Sequence, residues 1–104
     1  MTTFDDRENA FENKFAHDQE MQFRAEARRN KLMGLWVADI LGKTGADAEA
    51  YAKEVIKSDF EEAGHEDVMR KLMADVGDRV PEAELRAKYV ALLVEAKAQL
   101  MSEI

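Results

Sequence analysis

Leu32-Met33-Gly34-Leu35-Trp36-Val37-Ala38-Asp39-Ile40-Leu41-Gly42 carries apolar side chains at 32, 33, 36, 37, 40 and 41. This i, i+1, i+4, i+5 recurrence turns one wide face of a helix toward a core. Gly42 is the natural stop of that helix, since glycine adopts the left-handed conformation of a helix C-terminus without a Cβ penalty. Downstream, Thr44 stands where an N-cap belongs, with Asp47 three residues on as a variant of the capping box. Ala48, Tyr51, Ala52, Val55, Ile56 and Phe60 then share one face of a second helix, which Gly64 closes. A short third helix is predicted from Val68, Met69, Leu72, Met73 and Val76, with Gly77 as its stop. Pro81 opens a fourth at a first-turn position, where its missing N–H costs nothing, and Leu85, Tyr89, Leu92, Leu93, Ala96 and Leu100 form its core row.

Four apolar-faced helices joined by short glycine-containing turns cannot bury those faces singly. The simplest solution is an all-α four-helix bundle with antiparallel neighbours. With 104 residues, five Gly and one Pro, and no run of strict apolar alternation, the chain predicts one domain and no strand. Trp36, Tyr51, Phe60 and Tyr89 are expected in the core or at its rim, and the six Met residues are read as packing as well.

Upstream of the bundle the pattern fails. Past Met1, the only large apolar residues in 1–19 are Phe4, Phe11 and Phe15, set among charged and amide side chains. That is too little to fold alone, and an isolated helix of this length is marginal in water. Yet steps of seven and four would bring the three rings onto one narrow face of a helix. The expectation is therefore a mobile arm over 1–19 with helical tendency, followed by the bundle over 20–104. The rings either dock back on the bundle or anchor in a groove of another protein.

The balance of 22 acidic to 15 basic residues, net charge -7, argues against nucleic acid or anionic lipid as partner and leaves protein as the expected class. The charge is uneven. Arg24, Arg28, Arg29 and Lys31 cluster against Glu26 alone, whereas 47–67 holds eight acids, so the two segments are expected to attract one another. No cysteine is present, which removes disulfides, thiolate metal sites and cysteine nucleophiles. The N-terminus lacks the layout of a secretory signal, and no apolar run approaches the ~18 residues of a membrane span, so a cytoplasmic chain without membrane insertion is expected.

Two motifs imitate chemistry. Gly42-Lys43-Thr44 copies the tail of a phosphate-cradling loop, but Val37 stands where the first glycine should be and a helix precedes it instead of a strand. Glu62-Ala63-Gly64-His65 has the Glu-x-x-His spacing of di-iron bundles, but Gly64 interrupts it, and His17 has Lys14 at the corresponding position. No nucleophile has a plausible base. The reading is no catalytic residue, no metal and no cofactor, with weak adenine-nucleotide binding near Lys43 or Arg28 as one alternative and a generic helical adaptor as another.

Several blocks go further. Thr2-Thr3-Phe4-Asp5-Asp6-Arg7-Glu8, Lys14-Phe15-Ala16-His17-Asp18, Ala25-Glu26-Ala27-Arg28-Arg29-Asn30, Leu41-Gly42-Lys43-Thr44-Gly45, Ser58-Asp59-Phe60 with Glu66-Asp67-Val68, and Ser102-Glu103-Ile104 stand in order along the chain. Together they closely resemble the zeta subunit of alphaproteobacterial F-type ATP synthases over nearly its whole length. The resemblance implies an inhibitor of ATP hydrolysis, monomeric when free. Its N-terminal arm would enter an interface between alpha and beta subunits of the cytoplasmic head, become helical there and reach the gamma subunit. It also implies Phe4, Asp5, Asp6, Arg7, Glu8, Phe11, Lys14 and Phe15 as the partner-binding residues. The chain departs from the family pattern at Phe11, where a polar residue is frequent, and at Ala63 and His65 in the turn after the second helix.

Overall fold

The computed structural model describes the backbone of residues 3–59 and 66–103 and the side chains of 18–59 and 66–103. Helix α1 runs Thr3–Ile40, α2 Gly45–Ser58, α3 Glu66–Val76 and α4 Glu82–Ser102. No strand occurs among the described residues. The segment expected as a separate arm is helical from Thr3 and continuous with the first bundle helix. The mobility expected of it concerns residues largely outside the described side chains.

Helix α1 is the spine, packed chiefly against α2 and α4, with α3 closing the bundle between them. Cross-helix pairs fix every direction. Asn30 meets Asp59 and Gly34 meets Ala52 across α1 and the α2 end. Tyr51 bonds Asp75 across α2 and α3, Glu66 pairs with Arg86 across α3 and α4, and Arg28 reaches Glu103 just past the end of α4. Along α1 and α2 one index rises as the other falls, and the further pairs Glu54–Lys71 and Trp36–Lys88 give the same sense for α2 with α3 and for α1 with α4, so neighbours are antiparallel.

The core consists of Met33 and Val37 from α1, Tyr51 and Val55 from α2, Val68, Met69, Leu72 and Val76 from α3, and Leu85, Tyr89 and Leu92 from α4. Leu32, Trp36, Ile40 and Leu41 pack against it while partly exposed, so the 32–41 stripe wraps the core edge as well as filling its centre. Val80, in the turn before α4, is also buried. Phe60 lies outside the described residues.

The first turn follows the sequence closely. Gly42 takes a φ of 79°, its N–H reaches the Asp39 carbonyl, and the Lys43 N–H reaches the Ala38 carbonyl, the paired bonds of a Schellman stop. Two expected details differ. Thr44 is the N-cap of α2, but its hydroxyl makes no capping bond, and its backbone carbonyl alone starts the helix by accepting from the Asp47 and Ala48 N–H groups. Pro81 is the N-cap of α4, one residue ahead of the first turn, with extended backbone and a carbonyl that accepts from Glu84 and Leu85.

Candidate protein-binding site on helix α1

Positions 4, 11 and 15 fall on one row of α1, and that row continues through 22, 29, 33 and 40. Arg29 and Met33 on this row are buried in the bundle, at 3% and 0% exposure. By register, the phenylalanine positions therefore extend the same face of α1 that the bundle covers further along. The side chains of Phe4, Asp5, Asp6, Arg7, Glu8, Phe11, Lys14 and Phe15 lie outside the described residues. Fifteen helical residues, Thr3 to His17, span ~22 Å before the first described contacts with α4.

At that junction Asp18, Met21, Gln22 and Ala25 of α1 and Lys97, Leu100 and Met101 of α4 line an open apolar groove of about 330 Å³. Just inside it, the Arg28 guanidinium grips both carboxylate oxygens of Glu103 and reaches the Gln99 side chain at 3.5 Å. The hydrogen bond from Arg28 holds the Glu103 carboxyl below its ordinary range, and the pairing raises the Arg28 value in turn. These bonds fasten the C-terminal end of α4 to α1 at the point where α1 enters the bundle.

Beside it, from the next two residues of α1, lies a buried polar layer. The Arg29 guanidinium sits 3.9 Å from the Tyr89 ring centroid, and its Nε donates to the Asn30 side-chain oxygen. The Asn30 amide in turn donates to Asp59 at 3.0 Å. Burial pushes the Tyr89 phenol above its ordinary value; Arg29 opposes that shift, and Asp59, Glu26 and Asp67 add to it. Between the basic 24–31 run and the acidic 47–67 run, the bond that joins the two segments here comes from the neutral Asn30 amide to Asp59. Arg28 and Arg24 instead serve α4 and the neighbouring turn of α1, where Arg24 pairs with Glu20.

Phe23 was not singled out by the sequence. Its ring is 58% exposed on a row that continues through Asn30, Gly34 and Leu41. That row is covered by α2 further along, but α2 ends at Ser58, beside Asn30. Tyr51, Tyr89 and Trp36 behave as expected for core or rim. Tyr51 is buried and donates to Asp75 at 2.6 Å, and the half-buried Trp36 lies under the Lys88 ammonium, 5.4 Å from the ring centroid. Met101 departs from the packing expected of methionine, at 67% exposure.

Gly42, Lys43 and Thr44 are exposed and form the α1 stop, with the Lys43 N–H committed to the Ala38 carbonyl. Residues 62–65 lie outside the described residues, as does the His17 side chain. Among the described residues no cluster of three or more His, Asp or Glu could hold a metal, and no helix is long and apolar enough to cross a membrane. Among the described residues, the two carboxylates with displaced values, Glu66 and Glu103, are both shifted down by arginine hydrogen bonds. That is the direction of ion pairing, opposite to that of an acid kept protonated for catalysis.

A family model described as ATPase inhibitor subunit zeta matches residues 1–99. A solved structure, described as a solution NMR structure, is 69% identical with a TM-score of 0.76, covering 81% of this chain and 99% of its own. The comparison with curated proteins gives no match.

Proposed function

This chain belongs to the ATPase inhibitor subunit zeta family, and we propose that it blocks ATP hydrolysis by an F-type ATP synthase through insertion of residues 1–19, as a helix, between alpha and beta subunits and toward gamma. The observation that carries this reading is the family match over 1–99, which takes in every candidate anchor and most of the bundle. The family makes the chain a regulator, and its chemistry is recognition. Phe4, Phe11 and Phe15 supply apolar anchors on one helical row, and Asp5, Asp6, Arg7, Glu8 and Lys14 supply the charged rim around them.

A wedge in a rotary machine inhibits by differential binding. It holds one catalytic conformation more tightly than the next, so the step that would expel it becomes uphill. The register of α1 fits such a wedge: the row of positions 4, 11 and 15 is in phase with the row the bundle buries, so the bundle would lie beyond the insertion point as a grip on a continuous helix. The bundle itself performs no reaction in this scheme, and the inhibitor is monomeric when free and bound at the cytoplasmic head when engaged.

The test is a titration of the isolated catalytic head with the full chain, with Phe15→Ala and Lys43→Ala as companions. Inhibition by the full chain, weakened by Phe15→Ala and nearly unchanged by Lys43→Ala, is expected. Inhibition lost in Lys43→Ala and kept in Phe15→Ala would move the functional centre to the α1–α2 turn.

A further inference from the structure

Helix α4 is apolar on two opposite faces. Leu85, Tyr89, Leu92, Ala96 and Leu100 face the core. On the far side, Ala87, Val90, Ala91, Val94, Ala98 and Met101 are all exposed, with Val90 at 66% and Val94 and Met101 at 67%. At 100° per residue these six occupy a sector about 100° wide that contains no charged side chain, centred almost opposite the core row. Arg86 and Lys97 border one edge, and Glu84 and Glu95 border the other. The six side chains are contiguous along the helix, unlike the singly scattered exposed apolar residues that need no explanation.

We propose that this strip is a second docking surface for the enzyme whose catalytic head takes the N-terminal helix, and that it packs against an apolar helical ridge of that enzyme. The inference rests on the inhibitor reading. Three observations select this occupant. From Ala87 to Met101 the strip is ~21 Å long and one helix wide, so it offers ~230 Å², well under the ~800 Å² per partner of a stable independent complex. A second copy therefore could not be held by the strip alone. Charge excludes an anionic membrane, since the edges carry both signs and the chain is at -7. Finally, Met101 ends the strip and is also a wall of the groove with Met21, Gln22 and Ala25. The strip thus runs into the stretch of α1 that leads to the proposed arm.

A small surface of this kind is effective when a tether supplies the encounter. Once the arm is held, the strip meets its partner at the effective concentration of an intramolecular contact. The bulkier edge, Val90, Val94 and Met101, would fill space between partner side chains, while Ala87, Ala91 and Ala98 let a helix approach closely.

The test uses the full chain with Val90→Ser and Val94→Ser combined, and separately Ala87→Gln, each titrated against ATP hydrolysis by the isolated catalytic head. Melting temperature and sedimentation equilibrium are measured on the same samples. The expected result is a roughly tenfold rise in the half-inhibiting concentration for the double variant, unchanged maximal inhibition, an unchanged melting temperature and a monomer throughout. Ala87→Gln, which adds bulk on the same face without touching the core, should shift the curve in the same direction and decides the matter if the double variant melts early. Unchanged titration curves with an inhibiting wild-type chain would overturn this inference alone. A wild-type dimer dissolved by the substitutions would assign the strip to a second copy and overturn it too. A wild-type chain that does not inhibit would overturn the inhibitor reading and this inference together.

Discussion

A Cβ on Gly34 would lie 2.7 Å from the Ala52 Cα and 3.2 Å from the Ala52 Cβ. Helices α1 and α2 therefore meet there almost backbone to backbone, in the middle of the α1 stripe. Neither atom near the added methyl belongs to a flexible side chain, so relief requires the helices to move apart. Gly34→Ala should destabilise the bundle by about 1–3 kcal/mol, although alanine is the better helix former by roughly 1 kcal/mol. Thermal unfolding by circular dichroism checks this, with a loss of about 4–8 °C per kcal/mol expected for a domain of this size.

The two tyrosines make an alkaline test. Burial raises both phenols above the ordinary 10.0, with the bond to Asp75 adding to the effect at Tyr51. A folded value above the unfolded one means that this stabilisation is complete below pH 10 and is lost as pH rises toward the folded values. An absorbance titration should show almost no phenolate at pH 10, with ionisation appearing together with loss of helix at higher pH. Tyr51→Phe should cost about 1 kcal/mol through the lost bond to Asp75.

On the acid side the direction reverses. Arg86 and Arg28 hold the Glu66 and Glu103 carboxyls below the ordinary 4.5. Their contribution is present above that value and is lost as pH falls through the folded values. Both pairs are on the surface and screened by salt. Glu66→Gln and Glu103→Gln should each lower the melting temperature slightly at pH 7 in dilute buffer, and the difference from wild type should shrink as pH falls below the ordinary 4.5.

Phe4→Ala, Phe11→Ala and Phe15→Ala should each weaken inhibition by about 1–4 kcal/mol if the ring fills a desolvated pocket, with little change in melting temperature. Parallel losses of inhibition and thermal stability would place the rings in the bundle.

The core was legible because Leu32 to Leu41, Tyr51 to Ile56, Val68 to Val76 and Leu85 to Leu100 each carry enough apolar residues on one face to specify a helix and its inner side. Gly42 marked the first turn because φ-positive geometry leaves few choices there. Gly34 was not legible, since the close approach that demands a glycine depends on Ala52, which the chain brings near only through the turn between them. The continuity of α1 from Thr3 was hidden by the sparse apolar content of 1–19, which does not distinguish an arm from a helical extension. The outer strip of α4 was missed because Leu85, Tyr89 and Leu92 already account for a core face, leaving Val90 and Val94 as minor additions. The alignment of positions 4, 11 and 15 was readable from spacing alone.

The most direct measurement is the rate of ATP hydrolysis by the isolated catalytic head, titrated with the full chain and with a chain lacking residues 1–19. The bundle core begins after that segment, so the shortened chain should keep its helical spectrum and cooperative melting. The account expects the full chain to abolish hydrolysis at saturation and the folded, shortened chain to leave it nearly unchanged. Full inhibition by the shortened chain, or none by the complete one, would contradict it.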